Sequence, residues 1–414
     1  MKTLYTDIVV VGGGSAGVAA AIAAGKSGCK VILVEQLGYL GGKATAAEVG
    51  TICGLYKFSQ NATSEFIVKG FAKSFAEALQ KKSSAQSIHN TIGLHYLPYH
   101  IQDYKDLCLK LINESHVELL LDAEVKEVQK NDKLFSAIQI KTGSDTITLH
   151  FKALVDCSGN SIISELGKLP LITSENYQAA AQIFTLQGIG DIGEATLGLA
   201  LLRDVQKGIS NAQLNPYFDR VSVVQGSLEN HQASFKLGLP IPVTYQKNNL
   251  EELKAKALEM VHTLSTFLIS NSLTFKNAKL HHIAPELGIR TGFRPEGKYI
   301  LTEEDVLSCK KFETAIANGA WPIEEWSQDK RVKMQYFEYE HFYQIPAESL
   351  ISKHCENLFF AGRNISATDG AIASARVMGI CFQTGFAAGK LAAASATKTD
   401  TEATIKAIQQ EQIF

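Results

Sequence analysis

One stretch limits the possible folds of this chain more than any other: Asp7 to Glu35, DIVVVGGGSAGVAAAIAAGKSGCKVILVE. A β-branched run, Ile8 to Val11, leads into glycines at GxGxxG spacing, Gly12, Gly14 and Gly17. An alanine-rich helical pattern follows, and then a second strand pattern, Lys30 to Val34, that ends at Glu35. Together these form a βαβ dinucleotide fingerprint. Gly12 permits the tight turn out of the strand, Gly14 lets the backbone approach a pyrophosphate, and Gly17 lets helix and sheet pack closely. Free N–H groups at the helix start, at Ser15 and Ala16, receive the phosphate charge. A carboxylate at Glu35, with Gln36 beside it, can accept hydrogen bonds from both ribose hydroxyls and would repel a 2′-phosphate.

Composition narrows the remaining classes. With 414 residues the chain can form two or three domains, and 45% hydrophobic with 20% charged residues is ordinary for a globular protein. A formal net charge of −2 gives no reason to expect nucleic acid or an anionic membrane as partner. No stretch approaches the length of a membrane span, and Ala387 to Ala396 reads as a buried helix. The apolar run from Ile8 lacks the architecture of a signal peptide, so a cytoplasmic protein is expected. None of the seven cysteines pairs with another at CxxC spacing, which predicts reduced thiols and neither a dithiol centre nor a metal site.

After Glu35, the paired glycines Gly41 and Gly42, with Lys43, Ala44 and Thr45, either bring backbone up to the ligand of the fingerprint or simply turn the chain. Asn61 to Leu79 and Tyr104 to Ile112 have helical spacing. Val117 to Leu121, Glu124 to Gln129, Phe135 to Lys141 and Thr146 to Phe151 read as a strand followed by a small meander. A further strand, Ala153 to Asp156, stops at Ser158-Gly159, a second place where backbone can approach a ligand.

These stretches, VVVGGGSAG with Glu35, GGKAT, Val125 to Val128 and KALVDCSGN, resemble FAD-dependent oxidoreductases of the glutathione-reductase-like superfamily. Three later stretches bring the resemblance closer to the FAD dependent oxidoreductases related to fumarate reductase flavoproteins: Gly288 to Asp305, Trp321-Pro322-Ile323, and Tyr343 to Gly389. The resemblance implies an α/β fold: a Rossmann-like FAD-binding domain, with a parallel sheet and a small β-meander, made of residues 1–165 and 345–414. An α+β substrate domain, residues 166–344, would be inserted between its halves. It also implies that Val125 holds the adenine by its backbone and that Asp156 to Gly159 closes over the cofactor. Gly362-Arg363 and Arg376-Val377-Met378 would bring a helix start to the N1/O2 side of the flavin ring. Relatives that attach FAD covalently use a histidine just before the matching threonine, where this chain has Ala44, so noncovalent FAD is expected. The GDAAH-like stretch of flavin hydroxylases is replaced here by AGRNISATDG, which argues against oxygen insertion.

In the middle of the chain, Ala179 to Gln187 and Phe218 to Gln225 read as strands, and Leu197 to Lys207 and Leu250 to Asn271 as helices. Gly188, Gly190 and Gly193 repeat the GxGxxG spacing, but no second strand with a terminal charged residue follows, so this is expected to be a decoy. Arg290 and Arg294 fall in GIRTGFR, where they either bind a carboxylate or tie the two domains by ion pairs. The family usually carries a further arginine and an acidic residue here, and this chain has Phe293 and Thr291. His341 is the acid–base candidate closest to the final motif, with His281, His282 and Tyr343 behind it. Tyr336, Phe337 and Tyr339 read as seam packing.

The function expected is hydride transfer between noncovalent FAD and a small anionic organic substrate, with an unspecified electron donor or acceptor. The alternatives are a flavin-binding protein with a structural or regulatory role, and a monooxygenase or halogenase-like enzyme.

Overall fold

A computed structural model describes residues 2–174, 177–246, 248–327 and 332–414. At its centre lies a five-stranded sheet in the order Leu358–Phe360, Ala153–Asp156, Ile8–Val11, Val31–Val34, Glu118–Leu120. Every pairing in it is parallel. The first four strands in that order are buried along their whole length, as expected for strands covered on both faces. A strand from the C-terminal part of the chain therefore sits beside one that is itself paired to the fingerprint strand. The meander Ala123–Asn131, Leu134–Thr142 and Asp145–His150 forms a second sheet. Lys2–Tyr5, not anticipated from its short polar sequence, adds to the meander in parallel.

The fingerprint helix Ser15–Lys26 is buried from Ser15 to Ala24. It packs against the C-terminal helix Met378–Thr397, which is buried along most of its length. The approach is backbone to backbone: a Cβ on Gly385 would lie 2.1 Å from the Ala16 carbonyl oxygen, and one on Gly389 would lie 2.2 Å from that of Ala20. Small residues on both helices thus allow a spacing that larger side chains would prevent. Among the described residues no single helix is long and apolar enough to cross a membrane. The bent pair Asp369–Ala375 and Met378–Thr397 passes that test together, at 97°, but is a mostly buried core element here.

A second hydrophobic cluster gathers Phe184, Phe235, Leu264 and Phe275. It lies between an antiparallel sheet, ordered Val221–Val223, Gln232–Gly238, Ala181–Gln187, Lys279–Ile283, and the helices Glu194–Ser210 and Asn249–Asn271. The repeated GxGxxG follows an antiparallel strand; a Cβ on Gly188 would meet the Asn277 carbonyl oxygen at 2.5 Å, so that glycine serves packing, whereas a Cβ on Gly193 would meet nothing within 4 Å. Leu301, Ile316, Trp321 and Tyr343 pack into one hydrophobic cluster with Ile8, Val10 and Leu33 of the parallel sheet.

Two elements differ from the sequence reading. The helix expected from Asn61 begins at Gly70 and runs to Ser83, because Gly70 takes φ +54° where Glu411 backbone approaches, and the Phe66 ring packs at a tilt against Tyr56 instead. The strand expected from Phe218 is confined to Val221–Val223, because Pro216 and the Asn215 cap start a short 3-10 turn, Pro216–Arg220.

Gly385→Val is expected to destabilise the protein by about 3 kcal/mol or more, since a backbone carbonyl cannot move aside. Gly198→Ala, mid-helix with no atom within 4 Å of the new Cβ, should be neutral or stabilising by up to about 1 kcal/mol. Chemical denaturation of the two variants beside the parent checks the contrast.

Candidate functional site

A cleft of about 560 Å³ opens at the carboxyl ends of the parallel strands, lined by residues from both ends of the chain and, at Ala181, Ile183, Ser222 and Lys236, from the antiparallel sheet. At one end Gly12 (φ +97°) and Gly17 serve packing: a Cβ on Gly12 would lie 2.6 Å from the Cys157 carbonyl oxygen, and one on Gly17 only 1.7 Å from that of Gly12. Gly14 differs, since its Cβ would meet only Gly42 Cα, at 3.7 Å, and it faces the cleft. The helix begins there without a side-chain cap, and Ser15 and Ala16 line the cleft. Its first amides are therefore available to an anion. Gly41 N donates to the Gly13 carbonyl at 2.9 Å, laying the Gly41-Gly42 loop against the fingerprint.

Beyond that loop, Lys43 pairs with Glu286 at 2.6 Å, while burial pulls the ammonium below its usual pKa. Ala44 lines the cleft, and its carbonyl accepts from Tyr99 Oη at 2.8 Å. Thr45 is a loop brace, not a lining residue: its hydroxyl donates to the Leu40 carbonyl at 2.8 Å. Glu35 accepts from Gly13 N and, at 2.8 Å, from Leu37 N, and it lines the cleft with Gln36. Burial raises its pKa, and these amides act in the opposite sense. Val125 is buried in the meander strand and is not a lining residue; Ala123 N of that strand donates to the Glu35 carbonyl at 3.0 Å.

The Asp156 carboxylate joins the two ends of the chain. It accepts from Ser158 N at 3.0 Å, Ser158 Oγ at 2.6 Å, Ile163 N at 3.0 Å and Asn364 Nδ2 at 2.6 Å. Asn364 Oδ1 in turn accepts from Ser161 N at 3.1 Å. Burial raises the Asp156 pKa, against all four donors. The sequence reading missed Asn364; its place directly after the strand-ending Gly362-Arg363 was the available signal. Ser158, Gly159 and Gly362 line the cleft. The Arg363 guanidinium lies where a Gly159 side chain would be and donates to the Ile289 carbonyl at 2.7 Å.

At the other end the helix Asp369–Ala375 stops and the chain turns through Arg376 and Val377 into Met378–Thr397, so all three turn residues line the cleft. Arg376 Nη2 reaches Gln178 Oε1 at 3.1 Å and the Glu324 carboxylate at 3.6 Å, while its buried Nε has no hydrogen-bond partner among the described residues. Arg290 lies 4.2 Å from the centre of the Trp326 ring, and Lys236 Nζ approaches the same ring at 4.5 Å. Burial lowers the pKa of all three cations. Cys53 is pushed up to about 12 by burial, so it is a thiol and not a thiolate at neutral pH.

Two of the proposed catalytic residues stand elsewhere. Arg294 is fully buried and does not line the cleft; it donates to the Ala367 carbonyl at 2.8 Å and the Gly292 carbonyl at 2.9 Å, and it pairs with Asp369. It is a structural tie, the alternative left open for the pair. His341 is exposed and pairs with Glu338 at 3.2 Å outside the cleft, because the chain has not yet entered the buried strand Tyr343–Pro346. His282 is exposed and pairs with half-buried Glu48 at 2.8 Å, and Tyr343 is a buried partner of Ser374 at 2.7 Å. Tyr336, Phe337 and Tyr339 surround Phe58, as seam packing requires. Lys236, Glu324 and Trp326 were missed. Lys236 was readable in QASFKLG, where the buried alternation Ala233, Phe235, Leu237 turns it to the opposite face.

A dinucleotide fits this cleft on two observations: the side-chain-free face at Gly14 above uncapped amides, and the orphaned Nε of Arg376 at the far end. Among the described residues no cluster of His, Cys, Asp or Glu could hold a metal ion. Fold and cleft together define a dinucleotide-binding oxidoreductase. The chain belongs to the FAD dependent oxidoreductase family, whose model matches residues 7–412, and FAD is its cofactor. No curated protein matches it in sequence.

Among solved structures it is similar to a geranylgeranyl bacteriochlorophyll reductase-like protein from Thermoplasma acidophilum, with TM-score 0.53 and 12% identity over 99% of this chain and 83% of that one. It is also similar to OxyS anhydrotetracycline hydroxylase from Streptomyces rimosus, with TM-score 0.54 and 11% identity over 99% of this chain and 66% of that one. At such identities the likeness is one of fold.

Gly14→Val is expected to leave the protein folded but with FAD content near zero after purification, read from the flavin absorbance per protein. Asn364→Ala should cost about 1–3 kcal/mol in denaturant unfolding, because a buried carboxylate oxygen and the Ser161 amide each lose a partner.

Proposed function

We propose that this protein oxidises or reduces a small anionic organic substrate against noncovalently held FAD. Residues Gly12, Gly14, Ser15, Ala16 and the Gly42–Ala44 loop would hold the pyrophosphate, and Glu35 and Gln36 the ribose. Ser158, Gly159, Gly362 and Arg363 would pass along the middle of the cofactor, with Arg376, Val377 and Met378 at the ring. Residues 166–344 would supply the walls that select the substrate. The observation that carries the reading is that Lys236, Arg290 and Arg376 cluster at one end of the cleft, with Glu324 the one carboxylate near them among the described residues.

Bound FAD would supply two-electron redox chemistry at this end of the cleft. The chain's part is positioning and electrostatics. Arg376, with the amides at Val377 and Met378, puts positive potential where negative charge develops on reduction. Arg290, fixed by the Ala179 carbonyl and by Trp326, presents its remaining donors to an anion in the cleft. Apolar walls at Ile183 and Val224 exclude water and strengthen both interactions. Seven free thiols support a reducing compartment such as the cytoplasm.

Anaerobic mixing of purified protein with panels of organic acids tests the reading. An acid that bleaches the flavin supports it, and Arg290→Leu should then raise the concentration needed by about tenfold or more. His341→Ala should change nothing. Flavin that stays oxidised with every acid favours the structural or regulatory alternative, and oxygen consumption driven by a reduced nicotinamide favours a monooxygenase.

A further inference from the structure

The ring end of the cleft has an unbalanced charge that its own residues do not resolve. Glu324 is committed to Arg376 at 3.6 Å and accepts from Trp321 Nε1 at 3.3 Å. Arg290 has one acceptor among the described residues, the Ala179 carbonyl. Lys236 makes neither hydrogen bond nor ion pair with any described residue; its one contact of note is the Trp326 ring. Both cations line the cleft, and burial, with each near the other or near Arg376, depresses their pKa values. Lys236 and Arg290 are half-buried, and their nearby carboxylate, Glu324, is already paired with Arg376, so two cations placed over one indole suit an anion that arrives with the ligand.

The neighbouring surface says what kind of anion. Ile183 and Val224 form a small apolar cluster with Ala284, apart from the three larger hydrophobic clusters, and Ile183 and Val224 face the cleft. Met334 and Leu94 also line it. A sugar or a polyphosphate would leave hydroxyls or oxygens unpaired against this wall. Two cations, one a planar guanidinium held by one nitrogen, suit a single planar carboxylate.

We infer that Lys236 and Arg290 form a carboxylate pocket beside Trp326, and that the substrate is an organic acid with an apolar body seated against Ile183 and Val224. This rests on the oxidoreductase reading and deepens it by naming the substrate class. Lys236 touches the substrate carboxylate and sets specificity for it.

The test is isothermal titration calorimetry on the FAD-loaded protein with acetate, hexanoate, phenylacetate, neutral phenylacetamide and inorganic phosphate. Hexanoate or phenylacetate should bind and perturb the visible flavin spectrum, with phenylacetamide weaker by about tenfold or more. Lys236→Met should weaken the acid by about tenfold or more at unchanged FAD content, and Lys236→Arg should recover most of it. Arg290→Gln carries the same expectation as Lys236→Met and replaces it if that variant does not fold. The inference is overturned if no carboxylate binds, if the amide or phosphate binds as well as the acids, or if the substituted protein binds the acid like the parent. Protein that holds no FAD would contradict the oxidoreductase reading instead, so the two failures are separable.

Discussion

The rest of the structure depends on the contact between two helices that lie far apart in sequence. Gly385 and Gly389 of the C-terminal helix rest on the carbonyls of Ala16 and Ala20, with no side chain between. Two consequences follow from that spacing. The start of the fingerprint helix and the turn at Arg376 border one cleft, and the strand Leu358–Phe360 is held in parallel register beside Ala153–Asp156. A helix pair spaced by leucines would stand 8–10 Å apart or more, and the cleft would open along its length.

Where the strands end, a buried carboxylate does what the helices do at their contact. Asp156 takes four donors from three separate stretches, and the Asn364 amide among them comes from the far end of the chain. Desolvation opposes the charged form and the donors favour it, and together these contacts fix Ser158 and the turn after Phe360. Both contacts act on geometry and neither needs to meet a ligand. The cations at the other end follow a different logic: Lys236, Arg290 and Arg376 are desolvated with little counter-charge, an arrangement suited to an incoming anion and poorly explained by stability.

The nucleotide half of the fold was legible because its local and global signals agree. The glycines, the β-branched strands and Glu35 each have a physical reason to occur in that order, and strand Ala153–Asp156 matched its expected bounds. Gly70 and Pro216 misled where a backbone preference overrode hydrophobic spacing. At the Arg376 end of the cleft, Arg290 was read as a site residue, but its neighbour Arg294 in GIRTGFR turns inward to Asp369, and spacing alone could not separate them. Lys236 and Trp326 come from different elements and meet only through tertiary packing, so no sequence pattern unites them. His341 failed for the complementary reason: nearness in sequence to a buried strand says nothing about which way an exposed loop residue faces.

The central claim is that two remote segments enclose one dinucleotide, and hydrogen–deuterium exchange on FAD-loaded and FAD-stripped protein tests it most directly. The account predicts that FAD slows exchange together at the amides of residues 14–17, 41–45 and 376–381. Protection confined to the fingerprint, with the C-terminal amides exchanging equally in both states, would contradict it.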